Sequence, residues 1–216
     1  MQDKRVIVLG GTSGIGWEVA RRSAGQGAQV VIASSSAERV RKAVADLGGK
    51  AEGRALDLAD EPSIQAFFQT TGAFDHLVFT AGDTLRLSEL ASTDLQQARR
   101  AFDIRYWGAL AAVKYGSAHI RAGGSIVLTT GIAGARPRKG WVFGASVCGA
   151  MDGLTRALAV ELAPIRVNAV SPGIVRTNLW QNIPEQDRDR CSRAWARPCR
   201  WAAWGKPATS RRPICF

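Results

Sequence analysis

The sequence predicts an α/β protein, a three-layer α/β/α arrangement around a doubly wound parallel sheet. Short apolar segments alternate with helical ones along most of the chain, the strand candidates are apolar throughout, and a glycine-rich turn follows the first of them. Strands that are apolar on both faces and separated by helices form parallel sheets covered on both sides. The 216 residues are enough for one domain with a sizeable core.

Four strands and three helices are expected in the first 80 residues. The strand candidates are Arg5–Leu9, Gln29–Ala33, Ala51–Leu56 and His76–Thr80. Helices should begin near Ile15 and, after three consecutive serines, at Ala37. A third should begin after Asp60, because the sequence Asp-Glu-Pro is typical of a helix start.

Two longer helices dominate the second half of the chain. The predicted order is a helix over Thr93–His119, a strand over Ser125–Thr130, a helix over Trp141–Leu162 and a strand over Ile165–Val170. Gly123 and Gly124 are expected to stop the first of these helices, because glycine is frequent where helices end.

The composition excludes two broad classes of protein. A hydrophobic content of 46% is too high for a disordered chain. No apolar run approaches the roughly 20 residues that span a bilayer, and the first residues lack the pattern of a secretory signal. We therefore expect a folded cytoplasmic protein with no membrane partner.

The turn after the first strand carries the clearest chemical signal. Residues 10–16, GGTSGIG, lie directly between a strand and a helix. Glycine permits a tight turn and lets backbone N–H groups approach a pyrophosphate, which sits at the positive end of the helix. The sequence therefore predicts a dinucleotide-binding turn.

Four motifs, in the expected order over about residues 4–180, resemble the short-chain dehydrogenase/reductase family. They are GGTSGIG, Asp57-Leu58, Ala81-Gly82 and the segment 168–177, NAVSPGIVRT. The resemblance implies a Rossmann fold, with the glycines at the pyrophosphate, the Asp-Leu pair at the adenine, the Ala-Gly pair along the adenosine ribose and P-G-x-x-x-T at the nicotinamide carboxamide. The residues it assigns to the cofactor are Gly10, Ser13, Gly14, Ile15, Gly16, Asp57, Leu58, Ala81, Gly82, Pro172, Gly173, Ile174 and Thr177. For Pro172-Gly173 the alternative is a plain turn.

The end of the second strand favours NADP(H) over NAD. An acidic side chain there would accept hydrogen bonds from the ribose 2′-hydroxyl and repel a 2′-phosphate. This chain instead has Ser34 and Ser35, with Arg39 nearby and no acid before Glu38. Hydroxyls and a guanidinium suit a phosphate, so these two serines and Arg39 are candidate contacts. The alternative is that the serines cap the following helix.

The catalytic positions depart from the family pattern. The resemblance implies a serine, an asparagine and a Tyr-x-x-x-Lys motif, in which the tyrosine exchanges the proton and the lysine lowers its pKa. Here Thr130 stands for the serine and Arg105 for the asparagine, while Phe143 and Val147 replace the tyrosine and lysine. A positioned acid–base group contributes roughly 10²–10⁴-fold in rate, and neither replacement can supply one. Thr130 and Arg105 remain the catalytic candidates.

Other polar side chains are weaker candidates for the chemistry. Tyr106 and Cys148 are expected to pack within the fold, and Lys139 is either a solvated loop charge, a proton source or a contact for an anionic substrate. The chain has two histidines, His76 and His119, and they belong to no clustered ligand set. No metal site is predicted.

The end of the chain is a different kind of sequence. Residues 188–216 carry a charge of +7 out of a total of +11, with three of the four cysteines and three of the seven tryptophans. A zinc site would require a C-x-x-C pair or nearby histidines, and a basic aromatic tail could contact nucleic acid.

We favour a shifted reading frame. When the last base of each codon is read with the first two of the next, a glycine follows each of the three tryptophans Trp195, Trp201 and Trp204. From Pro198 the product can read LPVGRVGEA, similar to the L-P-x-G-R-x-G stretch of the family. We thus expect one domain over residues 1–190 and an aberrant tail over 191–216, with the last strand of the sheet missing.

Three functional hypotheses remain open. The first is an NADP(H)-dependent oxidoreductase acting on a small carbonyl or alcohol through a non-standard proton donor. The second is a catalytically inactive NADP(H)-binding protein of the same fold. The third, binding to nucleic acid through the tail, is disfavoured, and no nucleic-acid partner is expected. The family resemblance implies self-association through the two long helices.

Overall fold

Six parallel strands form one sheet within the residues that the computed structural model describes, which are 1–49, 51–82, 87–175, 177–180 and 186. The strands are β1 (Arg5–Leu9), β2 (Gln29–Ser34), β3 (Ala51–Ala55), β4 (Phe74–Phe79), β5 (Ile120–Thr129) and β6 (Arg166–Val170). Their order is β3-β2-β1-β4-β5-β6, with every neighbouring pair parallel. The order reverses between β1 and β4, where doubly wound sheets bind their ligands at the carboxyl ends of the strands. The predicted fold class is confirmed.

Helices cover both faces of this sheet. They are α1 (Gly14–Gly25), α2 (Ala37–Asp46), α3 (Glu61–Thr71), α4 (Leu95–Phe102), α5 (Gly108–Gly116) and α6 (Val142–Glu161). Buried residues of α1 and α2 form a cluster with one face of the sheet, and those of α3, α5 and α6 form a larger cluster with the other. Among the described residues no helix is long and apolar enough to cross a membrane.

The predicted continuous helix over Thr93–His119 is wrong in detail. Helix α4 passes into a wider π-helical turn, Asp103–Trp107, before α5, and a short 3-10 turn, Ser117–His119, ends the run. Gly108 lies at the junction with its backbone so close to Leu58 that a Cβ would lie 2.3 Å from the Leu58 carbonyl oxygen. Insertions of this kind in a helix occur frequently at functional sites.

The expected helix stop at Gly123 and Gly124 is also wrong, because both glycines lie inside β5. Gly123 has φ +81°, and a Cβ on Gly124 would lie 2.4 Å from the Asp75 carbonyl oxygen. The pairing of β4 with β5 shifts register beside Asp75. The glycines therefore serve a strand irregularity, a use of glycine that sequence alone does not distinguish from a helix end.

A buried ionic cluster fixes the amino ends of β1, β4 and β5. The Asp75 side chain is only 6% exposed. Its carboxylate accepts hydrogen bonds from Lys4 Nζ at 3.0 Å, from Arg5 N at 2.9 Å and from Arg121 Nη1 at 2.9 Å. The buried charge is thus fully paired. It lies at the end of the sheet opposite to the carboxyl ends of the strands.

Candidate active site

A cleft of about 1210 Å³ lies along the carboxyl ends of the strands. Its walls include the segments that follow β1, β2, β3, β4, β5 and β6. The cofactor candidates in its lining are Gly10, Ser13, Gly14, Ile15, Ser34, Ser35, Arg39, Asp57, Leu58, Ala81, Gly82, Pro172, Gly173, Ile174 and Thr177, and both catalytic candidates, Thr130 and Arg105, line it as well. The topology therefore collects residues from the whole described chain in one cleft.

The glycine turn forms a close-fitting cradle. Gly10 has φ +86°, and a Cβ there would lie 2.6 Å from the backbone nitrogen of Ala81. Gly16 does not line the cleft; a Cβ on it would lie 2.3 Å from Thr80 Oγ1 and 2.4 Å from the Gly10 carbonyl oxygen. Gly16 therefore lets α1 pack closely against the end of β4, while the other turn residues face the cleft.

The amino end of α1 is suited to an anion. Ser13 makes no side-chain capping hydrogen bond, and the first turn holds no acidic residue. By contrast, Ser36 caps α2 by accepting a hydrogen bond from Arg39 N, and Asp94 caps α4. The first N–H groups of α1 and its dipole thus point into a cleft that can accept a pyrophosphate.

The serines after β2 divide between the two interpretations given by the sequence. Ser36 acts as the helix cap, with its Oγ 3.2 Å from Arg39 N, while Ser34 and Ser35 line the cleft together with Arg39. Asp57 lines the neighbouring wall, and its Oδ1 accepts a hydrogen bond from Ala59 N at 2.9 Å. The residues predicted to contact the 2′-phosphate and the residue predicted to contact the adenine therefore line the same cleft.

Thr130 and Arg105 face the other part of the cleft. Thr130 is 8% exposed, and its hydroxyl donates a hydrogen bond to the Cys148 carbonyl oxygen at 3.0 Å. Arg105 lies in the π-helical turn, and its guanidinium packs on Gly82, where a Cβ would lie 2.5 Å from Arg105 Cζ. Gly82 therefore makes room for the guanidinium at the cleft wall.

Apolar side chains occupy the positions where the family resemblance implies the tyrosine and the lysine. The ring of Phe143 packs edge-on against Phe102, with centroids 5.5 Å apart. Val147 is 4% exposed and belongs to the large buried cluster. Both residues also line the cleft. This part of the wall is apolar, and its side chains cannot exchange a proton.

Neither tyrosine of the chain takes over the missing role. Tyr106 packs between the rings of Phe102 and Trp107, as predicted, and lies outside the cleft lining. The Tyr115 hydroxyl donates to Glu61 Oε1 at 2.7 Å on the protein surface. A phenol is therefore not available in the cleft.

The remaining polar candidates are held by local contacts. Lys139 forms an exposed ion pair with Glu89, at 2.7 Å. Cys148 lines the cleft, and burial raises the pKa of its thiol. His76 Nδ1 lies 2.9 Å from Ser125 Oγ, and burial lowers the pKa of its imidazole. Within the described ranges, no three His, Cys, Asp or Glu side chains are grouped so that they could hold a metal.

Sequence reasoning missed the aromatic wall of the cleft. Trp141 and Trp180 are both buried, with ring centroids 6.2 Å apart, and both line the cleft. Ile174 and Leu179 pack beside them. The signal available in the sequence was a tryptophan three residues after the P-G-x-x-x-T motif, but its partner lies 39 positions earlier in the chain and only the fold joins them.

Comparison with known proteins identifies the family. A family model described as enoyl-(acyl carrier protein) reductase matches residues 10–209. The short-chain dehydrogenase/reductase ATR9 of Stachybotrys chlorohalonatus is 34% identical over 223 aligned positions, covering 96% of this chain and 87% of that protein. The chain belongs to the short-chain dehydrogenase/reductase family. This is a family of NAD(P)-dependent oxidoreductases.

Solved structures of short-chain dehydrogenases/reductases share this fold. A small-chain dehydrogenase in complex with NADPH is 37% identical, with a TM-score of 0.75, and the match covers 88% of this chain and 78% of that one. The MalC reductase/Diels-Alderase of Malbranchea aurantiaca is 30% identical, with a TM-score of 0.78 and coverage of 88% and 80%.

Proposed function

We propose that this short-chain dehydrogenase/reductase transfers a hydride between NADP(H) and a small carbonyl or alcohol substrate, using a proton donor other than the tyrosine of the family. The observation that carries the proposal is that one cleft is lined by the glycine turn, by Ser35 and Arg39, and by Thr130 and Arg105. A bound nicotinamide would supply the hydride, and the protein would position the substrate oxygen.

The residues of the cleft fit such a cofactor. A side chain at Gly10 or Gly14 would be crowded. A Cβ on Gly10 would lie 2.6 Å from Ala81 N, and a Cβ on Gly14 would lie 3.2 Å from Thr177 Cγ2. The uncapped amino end of α1 offers N–H donors for the pyrophosphate. Arg39 and Ser35 offer a guanidinium and a hydroxyl for a 2′-phosphate. The NADPH complex of a protein 37% identical to this one supports the same choice.

Thr130 and Arg105 would act on the substrate oxygen. When the carbonyl carbon accepts the hydride, its oxygen gains negative charge and then a proton. The Thr130 hydroxyl can turn from the Cys148 carbonyl to donate to that oxygen. The Arg105 guanidinium stabilises the charge but keeps its own protons, so the oxygen takes its proton from solvent water.

Titration with NADPH and NADH tests the cofactor assignment. Binding is measured by the quenching of tryptophan fluorescence. We expect NADPH to bind with micromolar affinity and NADH to bind more weakly. Gly14→Asp should abolish binding by placing a carboxylate at the pyrophosphate. Gly48→Asp is the matched control, since Gly48 also has a positive φ, at +63°, with open space around it. No binding of either nucleotide, or equal loss in both variants, would overturn the proposal.

An inactive NADP(H)-binding protein is the second candidate function. The packing of Phe143 and Val147 into apolar surroundings favours it, because the acid–base pair of the family is absent. NADPH consumption in the presence of aldehydes and ketones separates the two candidates. Turnover that falls at least tenfold in Thr130→Ala or Arg105→Gln supports the oxidoreductase. Tight NADPH binding with consumption no faster than in the absence of protein supports the inactive binder.

Self-association through the helices α4–α5 and α6 is part of this proposal. Exposed apolar side chains occur along this surface: Leu95 on α4 at 65%, Trp107 in the π-helical turn at 58% and Val160 on α6 at 82% exposure. Members of the family typically act as oligomers on small molecules. Burying such side chains between two copies would remove apolar surface from water.

A further inference from the structure

The part of the cleft beyond Thr130 is amphipathic. One wall is apolar and aromatic, formed by Trp141, Phe143, Trp180 and Leu179. Other residues of the lining come from α4 and its cap, and they include Asp94, Gln97 and Arg100. A substrate that fills this space must match both apolar and polar groups of the lining.

The charged residues of this lining differ in whether they are already engaged. Asp94 Oδ1 caps α4 by accepting hydrogen bonds from Gln96 N at 2.9 Å and from Gln97 N at 3.2 Å. Lys139 is paired with Glu89. Arg100 forms no ion pair with any residue in the part of the chain that the structure describes. Arg100 is thus an exposed cation at the cleft that makes no ion pair with those residues.

We propose that Arg100 makes this cleft selective for substrates that carry a carboxylate on an apolar body. A planar guanidinium binds a carboxylate through two parallel hydrogen bonds, which a neutral amide or ester cannot reproduce. The apolar body would lie on the wall formed by Trp141 and Trp180. The inference rests on the proposed function, since it takes this part of the cleft as the substrate region.

Arg100 and Arg105 line the same cleft. Arg105 is the residue proposed to stabilise the reacting oxygen, so a substrate that reaches both guanidinium groups must carry its carboxylate and its carbonyl at separate positions of one body. An aromatic keto acid meets this requirement.

Calorimetric titration with a matched pair of ligands tests the proposal. The pair is 4-acetylbenzoate and 4-acetylbenzamide, which have nearly the same shape and differ in charge, titrated with and without saturating NADP⁺. In the wild type we expect the acid to bind roughly five- to tenfold more tightly than the amide. Arg100→Gln should remove this difference. Arg99→Gln, which changes an exposed arginine on the same helix that does not line the cleft, should retain it.

Equal affinity for acid and amide in the wild type, no binding of either, or equal losses in the two variants would overturn the proposal. NADPH titration of the same variants keeps its failure separate from that of the proposed function. If NADPH binds and the acid shows no preference, the carboxylate proposal alone is wrong. If the acid preference depends on Arg100 while NADPH does not bind, the anion site stands and the cofactor assignment is wrong.

Discussion

A single guanidinium after β2 should decide which nicotinamide cofactor is preferred. Arg39 lines the cleft beside Ser35, whereas Arg41, on the same helix, does not. Arg39→Gln removes a charge-assisted contact to the 2′-phosphate, so we expect NADPH affinity to fall roughly tenfold and NADH affinity to change little. Arg41→Gln is the control and should bind both as the wild type does. An unchanged NADPH to NADH ratio in Arg39→Gln would contradict the assignment.

Asp75 should make the stability of the protein depend on acid pH. Burial raises the pKa of its carboxyl, but hydrogen bonds from Arg5 N, Lys4 and Arg121 outweigh this and lower the pKa from 3.8 to about 2. The stabilisation is therefore present above pH 4 and is lost as the pH falls through 2, because the unfolded chain binds the proton more readily. It amounts to about 2 kcal/mol.

Urea unfolding of Asp75→Asn checks this prediction. At pH 7 the variant should be about 2 kcal/mol less stable than the wild type, and the difference should shrink between pH 4 and pH 2. A difference that stays constant over this range would mean that the carboxylate charge is not what stabilises the amino ends of the strands.

Individual residue roles were only partly predictable from the sequence. Cofactor positions such as Gly14 and Asp57 follow from motifs, and the structure places both in the cleft lining. The serine run shows the limit, because only the geometry separates Ser36, which caps α2, from Ser35, which faces the cleft. Trp180 could not be assigned, since its contact with Trp141 depends on how two distant segments pack.

Two helical glycines should respond in opposite ways to the same substitution. Gly108 lies against the Leu58 carbonyl, so Gly108→Ala introduces an overlap with backbone and should destabilise the protein by about 1–3 kcal/mol. Gly153, in α6, has only the end of the Arg156 side chain within 4.0 Å. Gly153→Ala should therefore stabilise it by about 0.5–1 kcal/mol through helix propensity. Thermal unfolding of both variants measures the difference, and a gain in both would refute the close contact.

The elements themselves were mostly predictable, with one instructive exception. Strands such as β1 and helices such as α2 follow from apolar periodicity and local caps, and the predicted bounds of β1 and the predicted start of α2 agree with the structure. The run from Thr93 to His119 reads as helical throughout, yet it contains the π-helical turn. That turn depends on the fit of Gly108 against Leu58, a long-range contact that periodicity does not encode.

At the scale of the whole molecule, Trp107 should control self-association. Its side chain is 58% exposed on the helical run through which we propose that the protein self-associates. Trp107→Glu should place a charge in the contact and reduce the mass measured by light scattering to that of a smaller species. Leu90→Glu, which changes an exposed leucine outside these helices, should leave the mass unchanged. A wild-type protein that is already monomeric would contradict the proposed contact.

The origin of residues 191–216 is a separate proposal about the whole chain. These residues lie outside the described ones. The predicted loss of the last strand concerns the same part of the chain. We propose that they are read out of frame, because the shifted product is similar to the continuation expected of the family. Sequencing the gene across codons 185–195 should reveal an inserted or deleted base. An uninterrupted frame would rule out a sequencing error.

The distance between the Asp75 cluster and the cleft has a practical consequence for engineering. Asp75 is the second residue of β4 and the cleft begins after the last residue, Phe79, so about 13 Å of strand separates them. Substitutions this far apart usually add. Acid tolerance could therefore be redesigned at the amino ends of the strands while cofactor preference is redesigned at their carboxyl ends. The two sets of changes could then be combined without being optimised together.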